Sequence, residues 1–293
     1  MGIYTLKNDI ITAKISDKGA EIVSVIRNGD GCEYIWQGDE KYWTGQAPYL
    51  FPICGRLYRG QYTFEGKTYE MKGHGFARRL VFTLVSKSET SVALALSANA
   101  DTKAVYPFDF KLTITHTLKE NALNTDVFIE NTGDKILPAA FGAHPGFNVP
   151  LDKNGIFEDY FLEFAEECSP NELILTSDGL NTGRKKALYL DGGKKLSLKR
   201  ELFDTDALFM ESEASSVTLK SDKSERAVTV RYPDLPYLGL WQTAKSDAPF
   251  VCIEPWYGLP SFCDEADDMA TRSNMYRIIP RSSKQIHMEL VFH

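Results

Sequence analysis

The sequence predicts an all-β protein built as a large antiparallel β-sandwich, and three observations support this fold class. Apolar and polar residues alternate with a period of two along most of the chain, and short polar or glycine-containing turns separate the alternating stretches. One such stretch follows the next without a long segment of helical period, which favours antiparallel sheets over a βαβ arrangement. The chain also contains 17 Phe and 14 Tyr, residues that suit half-buried pleated surfaces.

Turns between the alternating stretches identify individual hairpins. Residues 62–64 and 68–71 flank Glu65-Gly66-Lys67, a loop with a central glycine. Further predicted strand pairs, in chain order, are residues 82–84 with 92–96, 110–118 with 123–129, and 217–219 with 228–230. No internal repeat, low-complexity tract or Pro/Ser-rich linker divides the sequence, so we expect a single domain over residues 1–293.

The composition excludes several classes of function. The formal net charge is -7, with 33 basic and 40 acidic residues, which argues against a nucleic-acid partner because phosphate neutralisation needs a basic face. No apolar run approaches the roughly 20 residues needed to span a bilayer, so we expect no membrane partner. The amino terminus offers no signal peptide, and five scattered cysteines without a Cys-x-x-Cys motif indicate neither a disulfide framework nor a zinc site. We therefore expect a cytoplasmic protein.

Four stretches break the alternating pattern, and the first two contain basic side chains. Residues 48–57 include an apolar run followed by Arg56, and such an arginine must snorkel, pair or bind a ligand. In residues 73–78, His74 lies between two glycines, which permits either a tight turn or a close approach of the backbone to a ligand. The residue types alone leave these alternatives open at each stretch.

The other two stretches contain a histidine and a carboxylate in apolar surroundings. His144 lies among small and aromatic residues and precedes a proline that fixes the chain, so it is either a buried structural histidine or a functional one. His116, in contrast, lies on the apolar face of an ordinary predicted strand, and we assign it to the core or the sheet surface. Glu254 stands in the apolar run of residues 249–258, where an unpaired carboxylate is costly and burial raises its pKa toward that of a base near neutral pH.

Together the four stretches supply an arginine, two histidines and a glutamate in aromatic, glycine- and proline-rich surroundings. Aromatic walls with a few convergent polar groups suit a small polyhydroxylated ligand. We therefore predict a small-molecule sugar as the partner, provided that the four stretches converge in space.

Four motifs occur in a fixed order along the chain: Cys54-Gly55-Arg56, then His74-Gly75-Phe76-Ala77-Arg78, then residues 142–148, then Ile253-Glu254-Pro255-Trp256. In this order they resemble the aldose 1-epimerase (galactose mutarotase) superfamily, and in particular its LacX-like branch. Each motif is weak singly, but four in the right order are fairly specific, and the resemblance runs from about the first strand to the carboxyl terminus. It implies a large antiparallel β-sandwich with the sugar in a cleft on one sheet.

The resemblance implies a role for each of five residues. His144 would be the general acid that protonates the ring oxygen of a pyranose, and Glu254 the general base that removes the proton from the anomeric hydroxyl. Ring opening, rotation of the C1 aldehyde and reclosure with reversed roles would give the other anomer. By the same resemblance, Arg56 and His74 would bind and orient the sugar near its reacting end, and Asp206 would hydrogen-bond its hydroxyl groups.

The chain departs from the family pattern beside two of these residues. It has Gly55 and Ala143 where well-characterised mutarotases have asparagine, next to the arginine and the second histidine. These changes alter contacts beside the reacting groups and bear on the identity of the sugar more than on the type of reaction, since both proposed proton carriers are retained. Asp204 lies two positions before Asp206 and competes with it for the same role.

The implied chemistry is consistent with the residue types. Anomer exchange needs a proton delivered to one oxygen and a proton removed from another, and a positioned acid or base typically contributes about 10²–10⁴-fold each. The reaction needs neither a metal nor an organic cofactor, so we predict none, and the chain has no His-Glu-x-x-His, Gly-x-Gly-x-x-Gly or P-loop motif. The expected enzyme is an isomerase of the aldose 1-epimerase type that acts on a hexose.

Three alternatives stay open. A hexose-6-phosphate 1-epimerase would need extra cationic groups at the cleft, for which Arg59, Arg78 and Arg79 are candidates. A non-catalytic carbohydrate sensor on the same fold would have no evident need for a matched acid and base. A domain of a polysaccharide-processing enzyme is disfavoured because no second catalytic carboxylate pair stands at glycosidase-like positions. The sequence does not tell which sugar is bound, whether it is phosphorylated, or whether the protein is a monomer or a homodimer.

Overall fold

The computed structural model describes residues 2–152, 155–211 and 213–293, and β-strands dominate them. The strands in chain order are β1 (Ile3–Lys7), β2 (Ile11–Ser16), β3 (Ile22–Arg27), β4 (Tyr49–Leu50), β5 (Gln61–Phe64), β6 (Lys67–Glu70), β7 (Thr83–Lys87), β8 (Ser91–Ser97), β9 (Phe110–Lys119), β10 (Ala122–Asn131), β11 (Leu137–Ala139), β12 (Phe141–Ala143), β13 (Gly146–Asn148), β14 (Tyr160–Phe164), β15 (Asn171–Leu175), β16 (Asn181–Ala187), β17 (Lys195–Ser197), β18 (Leu208–Glu211), β19 (Ser216–Ser221), β20 (Val228–Arg231), β21 (Tyr237–Trp241), β22 (Phe250–Tyr257), β23 (Asp267–Asp268), β24 (Tyr276–Ile278) and β25 (Ser283–Phe292). The same residues form a short α-helix, α1 (Ala100–Val105), and 3₁₀ turns at Tyr58–Gly60, Ala77–Arg79, Phe157–Asp159 and Arg200–Phe203.

A nine-stranded antiparallel sheet forms one layer, in the order β17-β14-β19-β20-β25-β10-β9-β8-β7. Its long strand β9 shows the predicted alternation, because every second residue from Phe110 to Leu118 is buried. Strand β10 pairs with β9 and β25 over nearly its whole length, and this fixes the register of the layer. The predicted hairpins β7–β8, β9–β10 and β19–β20 all belong to this sheet.

An eight-stranded sheet forms the second layer. Its order is β16-β15-β18-β21-β22-β12-β4, and β13 also pairs with β22. Strand β22 is buried along all but its last residue, because it lies inside the sheet and is covered on both faces. This burial explains why residues 250–256 read as a continuous apolar run instead of an alternation.

Aromatic side chains pack the two sheets face to face. The ring of Tyr49 on β4 lies 5.8 Å from the ring of His116 on β9, and the ring of Phe51 lies 5.1 Å from that of Phe110. Such tilted and offset arrangements at this spacing are typical of a well-packed core. The prediction of a large antiparallel β-sandwich is confirmed.

His116 occupies the interior of the sandwich, one of the two places predicted for it. Its side chain is fully buried, and its ring nitrogens lie 2.9 Å from the carbonyl oxygen of Ala20 and 3.1 Å from the hydroxyl of Thr125. The ring N–H donates to the carbonyl, so the other nitrogen accepts from the threonine hydroxyl. Burial lowers the pKa of His116 to about 4, so the imidazole is neutral at neutral pH and has a structural role.

Smaller elements complete the described part of the fold. They include the sheets β1-β2-β3, β11-β24 and β23-β5-β6, and the last of these contains the predicted hairpin around Gly66. Helix α1 begins with a capping box, in which Asn99 and Thr102 each accept a hydrogen bond from the other's backbone N–H. Among the described residues, none of the helices has the length and apolarity needed to cross a membrane.

Candidate active site

One cavity of about 590 Å³ on the eight-stranded sheet is lined by every residue proposed for the site from the sequence. These residues are Arg56, His74, His144, Asp206 and Glu254. They come from separate stretches of the chain, so the fold supplies the convergence that the sequence could not show. The volume lies within the usual range of about 300–1,000 Å³ for small-molecule sites.

Strand register places His144 opposite Glu254. Gly142 in β12 and Gly146 in β13 both pair with β22, and the two pairings are in the same register. His144 lies midway between them and therefore falls opposite Glu254 on the same face. The Nε2 atom of His144 lies 3.2 Å from Oε1 of Glu254, so the two side chains are in direct contact.

Burial controls the charge of this pair. Only 11% of the His144 side chain and 3% of the Glu254 side chain are exposed. Burial lowers the pKa of His144 to about 3, and burial followed by the negative charge of Asp206 raises the pKa of Glu254 well above its usual range. Because the two groups are in contact, they titrate as one unit. At pH values between the lowered pKa of His144 and the raised pKa of Glu254 the pair therefore holds a single proton, which burial alone places on Glu254.

The pair also has unused hydrogen-bonding capacity. Within the described residues, Nδ1 of His144 and Oε1 of Glu254 are buried and form no hydrogen bond of good geometry. Buried polar atoms are normally hydrogen-bonded, and leaving one unpaired costs about 1–3 kcal/mol. Unpaired atoms on residues that line a cavity are what a site for a hydroxyl-rich ligand requires.

A strained turn presents His74 to the same cavity. The φ angles of His74 and Gly75 are 63° and 65°, in the left-handed region that favours glycine. A Cβ atom on Gly75 would lie 2.1 Å from the carbonyl oxygen of Phe51, so only glycine fits there. The sequence left open whether this glycine serves a tight turn or a close approach to a ligand. The structure supports the tight turn, in which Gly75 packs on the backbone of Phe51.

Hydrogen bonds fix the tautomer of His74. The backbone N–H of Gly55 donates to Nδ1 of His74 over 3.2 Å. Burial first, and then His144 and the neighbouring arginines, lower the pKa of His74 well below its usual value. The neutral ring therefore carries its proton on Nε2 and offers a hydrogen-bond donor. Its centroid lies 5.8 Å from that of His144.

Tight packing explains one of the departures from the family pattern. Gly55 has a φ of 73°, and a Cβ atom there would lie 2.5 Å from the ring of Pro260. Any side chain at this position would collide with the proline, so the glycine and the proline are coupled. Packing against Pro260 fixes the backbone of Gly55, and the N–H of Gly55 donates the hydrogen bond that orients the imidazole of His74.

A buried ion pair stabilises the backbone of Arg56 through a short series of hydrogen bonds. Arg272 contacts Asp267 at 3.2 Å, and Asp267 also accepts a hydrogen bond from the hydroxyl of Ser261. The backbone N–H of Ser261 in turn donates to the carbonyl oxygen of Arg56 over 2.9 Å. Both charged side chains are almost inaccessible, with 4% and 11% exposed, so this network is part of the interior. It holds the backbone of Arg56 in place while the side chain stays exposed at the cavity.

The cavity distinguishes the two candidate aspartates. Asp206 lines it, whereas Asp204 is exposed and lies outside it. The negative charge of Asp206 raises the pKa of Glu254, which agrees with a position near the His144–Glu254 pair.

Tryptophans form aromatic walls of the cavity, and the sequence did not identify two of them, Trp43 and Trp241. The ring of Trp43 lies 5.1 Å from that of His144 at 31°, and the ring of Trp241 meets the same imidazole edge-on at 5.7 Å. Trp256 lies beside His74, with 5.4 Å between ring centroids. Trp43 belongs to no motif, and Trp241 is on a strand whose pattern indicates only burial. No local signal would have found Trp43 or Trp241, whereas Trp256 stands within a recognised motif.

Basic residues also line the cavity. Of the three arginines considered for phosphate binding, Arg78 and Arg79 line it, and Arg59 lines only a neighbouring cavity. Lys72 lines the cavity as well and was missed by the sequence reasoning, because a single lysine on a turn carries no pattern of its own.

One group of side chains in the described residues has the composition of a metal site. The donor atoms of His144, Cys252 and Glu254 lie within 4.8 Å of one another. Burial raises the pKa of the Cys252 thiol well above its usual value, and a thiol binds a metal ion as the thiolate. Cys252 also does not line the cavity. The buried, protonated thiol therefore does not complete the donor set of a metal site with His144 and Glu254.

The chain belongs to the aldose 1-epimerase family, whose model matches residues 2–269. Protein LacX of Lactococcus lactis subsp. lactis, in its plasmid and chromosomal forms, is 36% identical to this chain, and the match covers 94% of each protein. Similar solved structures include a galactose mutarotase related enzyme from Lactobacillus acidophilus, with 33% identity, a TM-score of 0.94 and coverage of 100% of this chain and 97% of that one.

A galactose mutarotase-like protein from Lactobacillus casei is equally similar in structure, with 32% identity, a TM-score of 0.94 and full coverage of both chains. Family membership supports a sugar epimerase or mutarotase type of activity, and therefore an isomerase type of enzyme.

Proposed function

We propose that this protein is an aldose 1-epimerase that interconverts the α and β anomers of a hexose, such as galactose or glucose, by general acid/base ring opening. The observation that carries the proposal is the direct contact of His144 with Glu254, whose Nε2 and Oε1 atoms lie 3.2 Å apart in a cavity of suitable size. Anomer exchange needs one proton donor and one proton acceptor beside the same carbon, and this pair supplies both.

In the proposed reaction the pair carries one proton throughout. The His144 imidazolium protonates the ring oxygen while the Glu254 carboxylate removes the proton of the anomeric hydroxyl, and the bond between C1 and the ring oxygen breaks. One proton leaves His144 and another arrives on Glu254. After rotation about the C1–C2 bond, Glu254 returns its proton to the aldehyde oxygen and His144 regains one from the former ring oxygen, which closes the ring on the other face.

Both placements of the proton are stages of this reversible cycle. Burial favours the neutral pair with the proton on Glu254, which is the state that follows ring opening. A sugar hydroxyl that donates to the Glu254 carboxylate stabilises its charged form and thereby shifts the proton toward His144. Substrate binding thus prepares the pair for the first proton transfer.

Three further residues would bind the sugar. The Nε2–H group of His74 would donate to a sugar oxygen, and Arg56 would donate to a second one. Asp206 would accept hydrogen bonds from sugar hydroxyls. The indole rings that flank His144 would pack against the apolar face of the pyranose, as aromatic walls do in sugar sites.

The proposal is tested by anomer exchange of D-galactose and D-glucose, followed by exchange NMR with the wild type and the variants His144→Gln and Glu254→Gln. We expect acceleration by the wild type and a loss of about 10²–10⁴-fold in each variant, with the fold retained. His287→Gln is the matched control, because His287 is a half-exposed histidine outside the cavity. Saturable sugar binding by a folded wild type that turns over neither sugar would instead favour a non-catalytic sensor.

A further inference from the structure

We propose that the substrate is a hexose phosphate with a free anomeric hydroxyl, and that its phosphate binds where the candidate active site joins a second cavity. This inference deepens the proposed function and rests on it. The second cavity has a volume of about 730 Å³. The residues that line both cavities are Arg56, Lys72, Gly73 and Arg79, and we call this group the junction.

The junction is cationic, and its basic side chains form no ion pairs within the described residues. Three of its four residues are basic, and none of the three forms an ion pair within the described part of the chain. Arg79 donates a hydrogen bond to the carbonyl oxygen of Gly75, which orients it but leaves its charge uncompensated. Two arginines and a lysine that line the same junction match the charge of a phosphate group, and the guanidinium fork suits its oxygens.

The positive charge is local and does not reflect the protein as a whole. The chain has a net charge of -7, yet the candidate active site is lined by four basic residues and by two acidic ones, Asp206 and Glu254. Burial raises the pKa of Glu254 well above its usual value and so disfavours its negative charge. The second cavity adds Glu70 and Asp178 beyond the junction, together with Arg59. An anionic protein with a cationic cleft attracts anionic substrates by electrostatic steering.

The positive potential reaches the candidate active site. The arginines at positions 56, 78 and 79 all contribute to lowering the pKa of His74, in addition to its burial. A dianionic phosphate at the junction would offset this potential, while burial, the largest cause of the lowered pKa, keeps the imidazole neutral, as its role as a hydrogen-bond donor requires.

The reaction itself restricts where the phosphate is attached. Anomer exchange needs a free hydroxyl on the anomeric carbon, so the phosphate belongs to another carbon. His74 lies between the acid–base pair and the junction: its ring is 5.8 Å from that of His144, and its chain neighbour Gly73 is a junction residue. With the anomeric carbon at the pair, the far end of the sugar is directed past His74 to the junction. A phosphate on the terminal carbon fits this arrangement.

Gly73 leaves the junction open. A Cβ atom there would lie 3.3 Å from Cγ of Arg56, closer than most such contacts. The missing side chain gives the Arg56 guanidinium room beside the backbone and leaves the passage between the two cavities clear for a ligand.

The test compares anomer exchange of D-galactose and D-glucose with that of their 6-phosphates. We expect kcat/KM of the wild type to be about 10–100-fold higher for the 6-phosphates, as one or two charge-assisted hydrogen bonds provide. The preference should shrink at high ionic strength, because the junction is exposed to solvent. Inorganic phosphate should inhibit the exchange of the 6-phosphates competitively, because it would occupy the junction.

Variants locate the phosphate. Lys72→Gln and Arg79→Gln should each reduce the ratio of kcat/KM for the 6-phosphate to kcat/KM for the free hexose by about tenfold, since each removes one charged contact. Lys67→Gln is the matched control, because Lys67 is an exposed lysine on the neighbouring hairpin that lines neither cavity. It should keep the full preference.

The outcomes separate this inference from the proposed function. Equal kcat/KM for free and phosphorylated hexoses, with no inhibition by inorganic phosphate, would overturn the inference and leave the epimerase proposal intact. A preference that Lys72→Gln and Arg79→Gln leave unchanged would overturn the placement at the junction. If the folded wild type exchanges none of the four sugars, the proposed function fails. Calorimetric titration with galactose and galactose 6-phosphate then tests the inference by itself. Tighter binding of the 6-phosphate supports the inference, and equal binding of the two sugars overturns it.

Discussion

Removing both members of the His144–Glu254 pair should slow anomer exchange little more than removing one. The two side chains lie 3.2 Å apart and share a single proton in the proposed reaction. The perturbation is a set of three variants, His144→Gln, Glu254→Gln and the combination of both. Glutamine retains much of the size and hydrogen-bonding capacity of each side chain, but it does not exchange a proton near neutral pH.

The magnitude follows from the shared proton. Loss of a general acid or base costs about 10²–10⁴-fold, or about 3–5 kcal/mol of transition-state stabilisation at about 1.36 kcal/mol per tenfold. Two independent residues would multiply their effects, and the double variant would lose about 10⁴–10⁸-fold. Because each proton that His144 delivers is matched by one that Glu254 takes up, we expect the double variant to be within about tenfold of the slower single variant.

The assay is exchange NMR on the equilibrium mixture of anomers, with the uncatalysed rate measured in the same buffer and subtracted. Glu65→Gln is the matched control for Glu254→Gln, because Glu65 is exposed, pairs with Lys135 and lies outside the cavity. Thermal unfolding of each variant checks that a loss of rate is not a loss of fold. A double variant slower than both single variants by a further 10²-fold or more would refute the reasoning.

The pH dependence of the wild type gives a second view of the same pair. The pair carries one proton between the lowered pKa of His144, about 3, and the raised pKa of Glu254. Activity should therefore fall below that window, where both groups are protonated, and above it, where neither is. A loss of kcat/KM on the acid side with an inflection near the ordinary histidine pKa of about 6.5 would contradict this, because it would mean that His144 titrates as an exposed residue.

Three further predictions concern the interior and the sugar-binding side of the cleft. The pKa of His116 is about 4 in the folded state, below that of an unfolded histidine, so the wild type should lose about 3 kcal/mol of stability between about pH 6.5 and pH 4. In His116→Gln the loss of stability over the same pH range should be smaller by about 3 kcal/mol. Urea unfolding at pH 7 and pH 4 measures both losses. Asp206→Asn should raise KM about tenfold through one lost hydrogen bond, whereas Asp204→Asn, outside the cavity, should leave steady-state kinetics within about twofold of the wild type. Asp267→Asn leaves the buried Arg272 without its charged partner and should lower the free energy of unfolding in urea by about 3–5 kcal/mol. The same variant should raise KM more than it lowers kcat, because the backbone of Arg56 is then less firmly held.

Local pattern was sufficient for the hairpins but not for the order of strands in the sheets. The two-residue alternation of β9 and the glycine turn between β5 and β6 are both encoded within a few consecutive residues, and both occur as predicted. Strand β22 cannot be identified from alternation, because it is buried on both faces and its sequence does not alternate. Its position inside the sheet had to come from the structure.

The site could be predicted only in part, since its geometry depends on pairing between distant strands. Sequence marked His144 and Glu254 as unusual, but the register of β12 and β13 on β22 is what puts them in contact. Trp43 and Lys72 were missed because each joins the cavity through tertiary packing and neither belongs to a local pattern.

The tryptophan walls give the protein a built-in optical reporter. Three of its four tryptophans, Trp43, Trp241 and Trp256, line the candidate active site. The fourth, Trp36, stacks on Phe250, whose ring also lies 5.6 Å from that of Trp43. Intrinsic fluorescence therefore originates almost entirely at or beside the cleft, so quenching or a spectral shift on titration would measure ligand affinity directly, without a label and without turnover.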